Sequence, residues 1–149
     1  MKLLDLHQFD LFRNDHSVKV LRHKDPRWDL WALRKNGKFG RYQNRQGWDV
    51  FGRANYVISF IAERNKYAKF VGVWGVISKH KKTKGFRYKT KELPGFGELE
   101  GRLIVRWGEG TRSWAQWLHR EGNKDIVELL PPNYVMDFPG YYNFTLSYD

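Results

Sequence analysis

The chain has 149 residues, no cysteine and a formal net charge of +11, from 27 basic and 16 acidic residues. A chain of this length can bury roughly 68–70% of its unfolded surface, so it can fold as one domain without disulfides or a structural metal. The lack of cysteine excludes thiol catalysis, cysteine-ligated zinc and a disulfide framework, and it is typical of a reducing cytosol. We therefore expect a single domain over residues 1–149.

Aromatic residues make up 17% of the chain, with 7 Trp, 8 Tyr and 10 Phe. So many large apolar rings beside a high charge predict a folded core under a basic surface, which attracts polyanions by Coulomb steering. The N-terminus does not resemble a signal peptide, because Asp5 and Asp10 interrupt its apolar stretch. No apolar run approaches the roughly 20 residues that span a bilayer. We expect a soluble, cytoplasmic protein without a membrane partner.

The first half of the chain predicts short helices around one strand. Residues 3–12 bring Leu and Phe side chains together between aspartates, which is typical of a short amphipathic helix. Residues 18–23 (VKVLRH) predict a strand. Residues 28–37 have a helical pattern that ends at Gly37. Residues 38–53 show no clean period and predict an irregular or loosely helical loop.

The second half of the chain predicts a sheet. Strand patterns cover 55–64, 69–80, 86–93, 101–108 and 126–131, whereas 111–119 fits a strand or a helix. Glycines inside a strand mark bulges or sharp bends, and Gly72 and Gly75 lie in the second of these strands. The pattern predicts an α+β fold: a small, strongly curved, mostly antiparallel, β-barrel-like sheet with one to three short helices. A PUA/SRA-like or B3-like architecture would suit it, and an open α+β sandwich is the alternative.

The sharpest local feature is a run of cations without any acid over residues 79–91 (KHKKTKGFRYKTK), between two predicted strands. Such a hairpin tip indicates a polyanion partner, because each Lys or Arg placed on a phosphate releases condensed counterions. A two-stranded ribbon also fits the major groove of DNA. The alternative is a solubilising edge, since edge lysines discourage aggregation. The predicted DNA contacts are Lys79, Lys81, Lys82, Lys84, Arg87 and Lys89.

A second basic cluster lies in the N-terminal half, and amide side chains are interleaved with it. Arg bonds the guanine edge and Asn or Gln bonds the adenine edge, so the 41–53 loop could read bases where the lysines read only charge. A solvated loop is the alternative. The predicted DNA contacts here are Arg22, Arg41, Gln43, Arg45 and Arg53.

Most of the tryptophans are expected in the core, because burying a large ring strongly stabilises a small domain. One or two aromatic residues could instead line a cavity that holds an extruded base. The candidates for this base pocket are Tyr56, Trp74 and Trp114.

No arrangement of residues predicts an enzyme. The five histidines are scattered without an HxH or HExxH pair, and no GxSxG sequence occurs. Asp25 and Asp29 lie four residues apart, but they fit turn and helix-cap positions better than a metal pair. We therefore predict no catalytic residue, no metal and no cofactor.

Four stretches of the chain resemble a known module in the same order: 20–31 (VLRHKDPRWDLW), 70–76 (FVGVWGV), 101–117 (GRLIVRWGEGTRSWAQW) and 138–149 (FPGYYNFTLSYD). They resemble the N-terminal region of bacterial GIY-YIG nuclease family proteins, which carry a module of this size ahead of a C-terminal nuclease. The resemblance implies a restriction-modification or phage-defence setting, in which this domain selects the DNA that the nuclease cuts. No GIY or YIG tripeptide occurs here, so we expect either a piece of a longer protein or a stand-alone relative.

The sequence favours a sequence- or modification-specific double-stranded DNA-binding domain of a restriction-type GIY-YIG endonuclease. Three alternatives stay open. An RNA-binding PUA-like module would be favoured by an exposed aromatic platform. A self-contained nuclease would be favoured by carboxylates clustered near a lysine. A protein-interaction domain would use its basic face to meet an acidic partner.

Overall fold

A computed structural model describes residues 1–64, 66–108 and 113–132. The strands in these ranges are β1 (Val18–His23), β2 (Arg45–Gln46), β3 (Tyr56–Ala62), β4 (Tyr67–Lys82), β5 (Gly85–Glu92), β6 (Leu103–Arg106), β7 (Ala115–Trp117) and β8 (Asp125–Leu129). The helices are α1 (Leu30–Lys35) and α2 (Phe39–Gln43), with 3-10 turns at Leu3–Asp5, His7–Phe12 and Gly97–Leu99 and a π-helical turn at Leu118–Gly122. Within the described ranges, each helix is too short or too polar to cross a lipid bilayer.

All eight strands belong to one curled sheet, whose main path runs β2-β5-β4-β3-β1-β7. The pairing of β1 with β3 is parallel, and the other pairings are antiparallel. The first residues of β4 pair with β6, which in turn pairs with β8. The register shifts between Ser59 and Phe60, between Val76 and Ser78 and between Ile104 and Val105, and such bulges let a sheet curl. The small, curved, mostly antiparallel α+β sheet confirms the predicted fold class.

Each face of the sheet packs against its own core. Ile58 and Phe60 of β3 face a cluster that the N-terminal turns cover with Phe9. Their neighbours Val57 and Ile61 face a second cluster beneath α1 and α2. The period-two alternation of a strand thus divides the apolar residues between two layers.

The N-terminal segment is not the predicted amphipathic α-helix but two 3-10 turns. Its apolar side chains recur at Leu3, Leu6, Phe9 and Phe12, and this spacing of three matches the 3.0 residues per turn of a 3-10 helix. Leu3, Phe9 and Phe12 are fully buried, whereas Leu11, which breaks this spacing of three, is 52% exposed.

The predicted helix over 28–37 is present as α1. Asp29 caps it, because its Oδ1 accepts a hydrogen bond from the N–H of Ala32 at 3.0 Å. The chain leaves the helix through Gly37 at φ 72°, a left-handed conformation that favours glycine.

The segment 38–53, predicted as an irregular or loosely helical loop, contains the short helix α2 and also strand β2, which the prediction lacked. The stretch 111–119 fits a strand or a helix by its sequence, and its described residues include strand β7, after which Leu118 begins the π-helical turn. The stretch 138–149, which carries part of the resemblance, lies outside the described residues.

Candidate nucleic-acid interface

The basic hairpin is the free end of the longest strand. β4 pairs with β3 only as far as Gly75, whereas its pairing with β5 continues to Lys82. Residues 77–90 therefore extend past β3 as a hairpin, which we call the arm, and β2 pairs with its second strand at Phe86 and Arg87. The arm contains no acidic residue. The predicted hairpin between two strands is thus confirmed.

The two faces of the arm differ in chemistry. Directly paired residues share a face, and the register pairs Arg87 with His80 on one side and with Arg45 on the other. By the alternation along β5, Lys89 lies on the same face. The opposite face carries Tyr88, whose ring stacks on Phe51 at 4.0 Å between centroids. The Tyr88 face packs on the body of the protein at Phe51, but it also carries Lys79 and Lys81, which pair with Tyr88 and Phe86, so both faces of the arm bear cations.

The predicted lysine contacts divide into two groups. Lys81, Lys82, Lys84 and Lys89 are exposed and make no side-chain hydrogen bond or ion pair with a described residue. Lys79 differs, because its Nζ donates to Oδ2 of Asp49 at 2.6 Å. Lys79 therefore ties the arm to the loop after β2 and is already neutralised in this conformation.

Asp49 is the anchor for the arm. Besides Lys79, its carboxylate accepts hydrogen bonds from the Tyr88 hydroxyl at 2.5 Å and from the N–H of Gly52 at 3.2 Å. Partial burial raises the pKa of Asp49, but the hydrogen bonds from Lys79 and Tyr88 outweigh it and hold the pKa below its ordinary value. The carboxylate is therefore ionised at neutral pH and holds the arm against the body of the protein.

The pairing of β2 with β5 joins the two basic clusters that the sequence places some 40 residues apart. Arg45, from the predicted base-reading loop, lies directly opposite Arg87 of the arm. The junction requires a glycine at the start of β5. Gly85 has φ 95°, and a Cβ there would collide with the carbonyl oxygen of Gln46.

A cleft of about 500 Å³ opens where the two ends of the curled sheet approach each other. Trp48, which follows β2, meets Trp114, which precedes β7, with ring centroids 6.4 Å apart in a T-shaped contact. The cleft is lined by Arg22, His23, Lys24, Asp25, Arg27, Tyr42, Arg45, Gln46, Gly47 and Trp114.

The floor of the cleft is polar but uncharged. Gln43 Oε1 accepts hydrogen bonds from Ser59 Oγ and from His23 Nε2, the latter at 3.0 Å. Burial lowers the pKa of His23 to about 4, and the hydrogen bond with Gln43 only partly opposes this. His23 is therefore neutral at pH 7. Since Nε2 bonds to Gln43, Nδ1 is the ring nitrogen that makes no hydrogen bond with a described residue, and the His23 ring lines the cleft.

The rim of the cleft is charged. Arg27 makes a two-fold hydrogen bond with Asp25, at 3.0 Å from Nε and from Nη2, and Tyr42 donates to the same carboxylate at 3.2 Å. The bond from Arg27 holds the pKa of Asp25 at about 2. Arg45 is exposed and makes no side-chain hydrogen bond or ion pair with a described residue. The rim thus keeps a net positive charge despite its one acid.

A second groove adjoins the cleft across a ridge formed by Arg27, Tyr42 and Arg45. Its other lining residues are Trp28, Leu33, Lys38 and Arg41. No acidic residue lines this groove in the part of the chain that the structure describes. Arg41 therefore lies near Arg45, as the base-reading loop requires.

Three of the predicted base-reading and phosphate contacts are placed differently. Gln43 is 0% exposed beneath the cleft, so it supports His23 and does not reach a nucleic-acid base; this corrects its predicted role. Arg22 borders the cleft, but its Nη2 donates to the carbonyl of Tyr67 at 3.3 Å. Arg53 is exposed beyond Gly52 and lines neither the cleft nor the groove.

The three predicted walls of a base pocket do not come together. Trp74 is buried, with its ring 5.7 Å from that of Phe39. Tyr56 packs on Phe12, in the core on the other face of the sheet. Only Trp114 lines the cleft. Side chains alternate between the two faces of the sheet along β3 and β4, and this places Tyr56 and Trp74 on opposite faces. The sequence alone does not show which face each residue occupies.

Sequence reasoning did not single out the exposed tryptophans or one buried lysine. Trp28 and Trp48 are 55% and 53% exposed beside the basic surfaces, although tryptophans were expected mostly in the core. The clustering of Trp with Arg and Lys in 27–48 is the signal that could have found them.

The buried lysine, Lys69, lies in the first half of β4. Burial lowers its pKa to about 7, while Glu63 and Glu128 raise it. A lysine near two carboxylates is the kind of cluster that the nuclease alternative calls for, but none of the three lines the cleft. Among the described residues, no three His, Cys, Asp or Glu side chains are grouped as a metal site.

Comparisons with known proteins found no matching family model, no similar curated protein and no similar solved structure. The resemblance to GIY-YIG nuclease family proteins therefore stays a prediction, and the function must be argued from the arm and the cleft.

Proposed function

We propose that this chain is a double-stranded DNA-binding domain that has no catalytic role of its own. The observation that carries the proposal is the β2–β5 pairing, which sets Arg45 beside Arg87 and so joins the arm to the basic rim of the cleft. Cations that repel one another across adjacent strands destabilise the free protein, and phosphate groups would relieve that repulsion.

The shape of the arm favours a duplex. The tip of the arm, from Lys82 to Gly85, lies beyond the β2 pairing and is a two-stranded ribbon of the kind that fits the major groove of B-DNA, which is about 12 Å wide. The exposed lysines of the arm would contact phosphate groups, which fixes position but reads no sequence. Arg41 and Arg45, whose guanidinium groups can bond a guanine edge at two points, are the candidates for base contacts.

The setting follows from the sequence resemblance. A GIY-YIG nuclease partner domain, a restriction-modification or phage-defence role and a cytoplasmic location are part of the same proposal. In that setting the domain selects the DNA site, and cutting belongs to the nuclease domain.

Exposed tryptophans favour one second candidate, a binder of RNA or single strands. Aromatic rings are stacking platforms for unpaired bases, and Trp28 and Trp48 are each more than half exposed beside cations. The same charge would serve a PUA-like RNA module.

A salt titration of binding separates these candidates. The probes are one DNA duplex, unmodified and cytosine-modified, the matching single strand and the matching RNA duplex, each measured by fluorescence anisotropy. If about five cations contact phosphate, the logarithm of the binding constant falls with that of salt at a slope near −4 to −5. Tighter binding to one of the DNA duplexes that persists as salt rises supports the proposal. Equal binding to all probes, lost together in salt, contradicts it, and a preference for the single strand or the RNA duplex favours the second candidate.

A further inference from the structure

The charged groups of the cleft lie at its rim, and its neutral polar groups lie on its floor. This arrangement determines which kind of ligand the cleft can bind. Its floor has the neutral His23 ring supported by Gln43, whereas its rim carries the guanidinium groups. An ion placed on the floor would lose water without gaining an opposite charge. The floor therefore suits an uncharged ring that offers an N–H donor to His23 Nδ1, and the rim suits an anion.

The rim retains two cations for such an anion. Arg45 and Lys24 are exposed, and neither makes a side-chain hydrogen bond or ion pair within the described ranges. Arg27 is held in place by Asp25, which leaves its charge partly neutralised but its position fixed. A phosphate group at the rim would meet Arg45 and Lys24 without breaking an existing ion pair.

An aromatic wall is held in position over the floor. The carbonyl of Trp114 accepts a hydrogen bond from the N–H of Arg22 at 2.8 Å, which fixes the start of β7 against β1. The Trp114 ring lies 5.5 Å from the His23 ring and 6.4 Å from the Trp48 ring. Such a ring can stack on a planar ligand without first having to be ordered.

We propose that the cleft binds one unstacked nucleotide of DNA, with its base against Trp114 above His23 and its phosphate at Arg45 and Lys24. The volume of about 500 Å³ falls within the range of about 300–1,000 Å³ usual for small-ligand sites. The inference rests on the proposed function, because the arm would deliver the DNA from which the nucleotide comes. The nucleotide comes either from a duplex that extrudes it or from a single strand.

The test compares probes that differ by one base. One duplex carries a single unpaired nucleotide, a second carries an abasic residue at that place, and a third is fully paired. Two single strands, with and without one abasic residue, complete the set. We expect the probe with the unpaired base to bind about 10-fold tighter than the probe with the abasic residue, because stacking of one base on one aromatic ring contributes about that much affinity. If the base is preferred over the abasic residue only in the duplexes, the nucleotide comes from a duplex that extrudes it. If the base is preferred only in the single strands, the nucleotide comes from single-stranded DNA.

Variants test whether the preference for the base over the abasic residue depends on Trp114. Trp114→Leu should abolish it, and Trp114→Phe, which keeps an aromatic ring in the wall of the cleft, should retain part of it. Trp117→Leu is the matched control, since Trp117 is a half-buried tryptophan that packs on the same core cluster as Trp114 but does not line the cleft, and it should leave the preference unchanged. Melting curves of all variants show whether Trp114→Leu still folds.

Equal binding of base and abasic probes by the unaltered protein overturns the proposal, whatever the variants do. A preference that survives in folded Trp114→Leu also overturns it. Binding of the fully paired duplex tests the proposed function separately. If that binding is absent while the single strands show a preference dependent on Trp114, then the duplex function fails and the cleft assignment stands.

Discussion

The arm and the cleft are both basic, but they are built in opposite ways. The arm is one hairpin whose lysines project into solvent with few partners, whereas the cleft is assembled from β1 and the loop after it, α2, β2 and the residue before β7. In the cleft, Arg27 is bonded to Asp25 and His23 to Gln43. Exposed, unpaired cations increase the affinity for a polyanion and its rate of association, whereas groups held in fixed positions select one ligand over another. The contrast indicates that the arm holds DNA and the cleft discriminates among ligands.

The largest expected effect is a loss of affinity when the arm is reversed in charge. Changing Lys81, Lys82 and Lys84 together to Glu removes about three phosphate contacts, so the salt slope should become shallower by about 3 and affinity at 0.15 M salt should fall on the order of 100-fold. Fluorescence anisotropy over a range of salt measures both. The control is Arg120→Glu, an exposed cation outside the arm and the cleft, and a similar loss there would show that only the overall charge matters.

The next effect should come from breaking the junction between arm and cleft. Gly85→Ala places a Cβ against the carbonyl of Gln46 at φ 95°, and we expect the free energy of unfolding to fall by about 2–3 kcal/mol. Gly95→Ala is a matched control, because Gly95 has the same φ but nothing within 4 Å of the added Cβ. It should lose only about 1 kcal/mol. Denaturant titration measures the difference, and equal losses would mean that the close approach of β2 does not matter.

The floor of the cleft should make stability depend on pH. The pKa of His23 is about 4 when folded and near 6.5 when unfolded, so the unfolded chain binds more protons between these values. Stability is therefore kept above the unfolded pKa and is lost as pH falls toward 4, by about 2 kcal/mol between pH 7 and pH 5. Denaturant titrations at both pH values test this. His23→Asn should reduce the dependence, and an undiminished dependence in that variant would assign it to other groups.

The fold could be predicted further than the site. The local sequence was sufficient to predict the strands in 18–23 and 55–64 and the cap at Asp29, because these features depend on residues that are neighbours in the chain. The pairing of β2 with β5 could not be predicted, because β2 has only two residues and its partner lies 40 residues away. Gln43 was misplaced for a related reason: an amide in a basic loop resembles a base reader until the fold buries it under His23. The base pocket failed because strand alternation sends Tyr56 and Trp74 to opposite faces.

The smallest effect separates two lysines within the arm itself. Lys79 and Lys81 lie two residues apart, so alternation along β4 puts them on the same face, but only Lys79 is bonded to Asp49. Lys79→Gln should lower the free energy of unfolding by about 0.5–1 kcal/mol, as loss of a partly exposed ion pair does. Lys81→Gln should leave stability unchanged and make the salt slope of DNA binding shallower by about 0.9, because Lys81 is available to phosphate in the free protein. If both variants changed only the slope, the bond from Lys79 to Asp49 would not anchor the arm, and the arm would be held by the contacts of Tyr88 with Asp49 and Phe51 and by the β2 pairing.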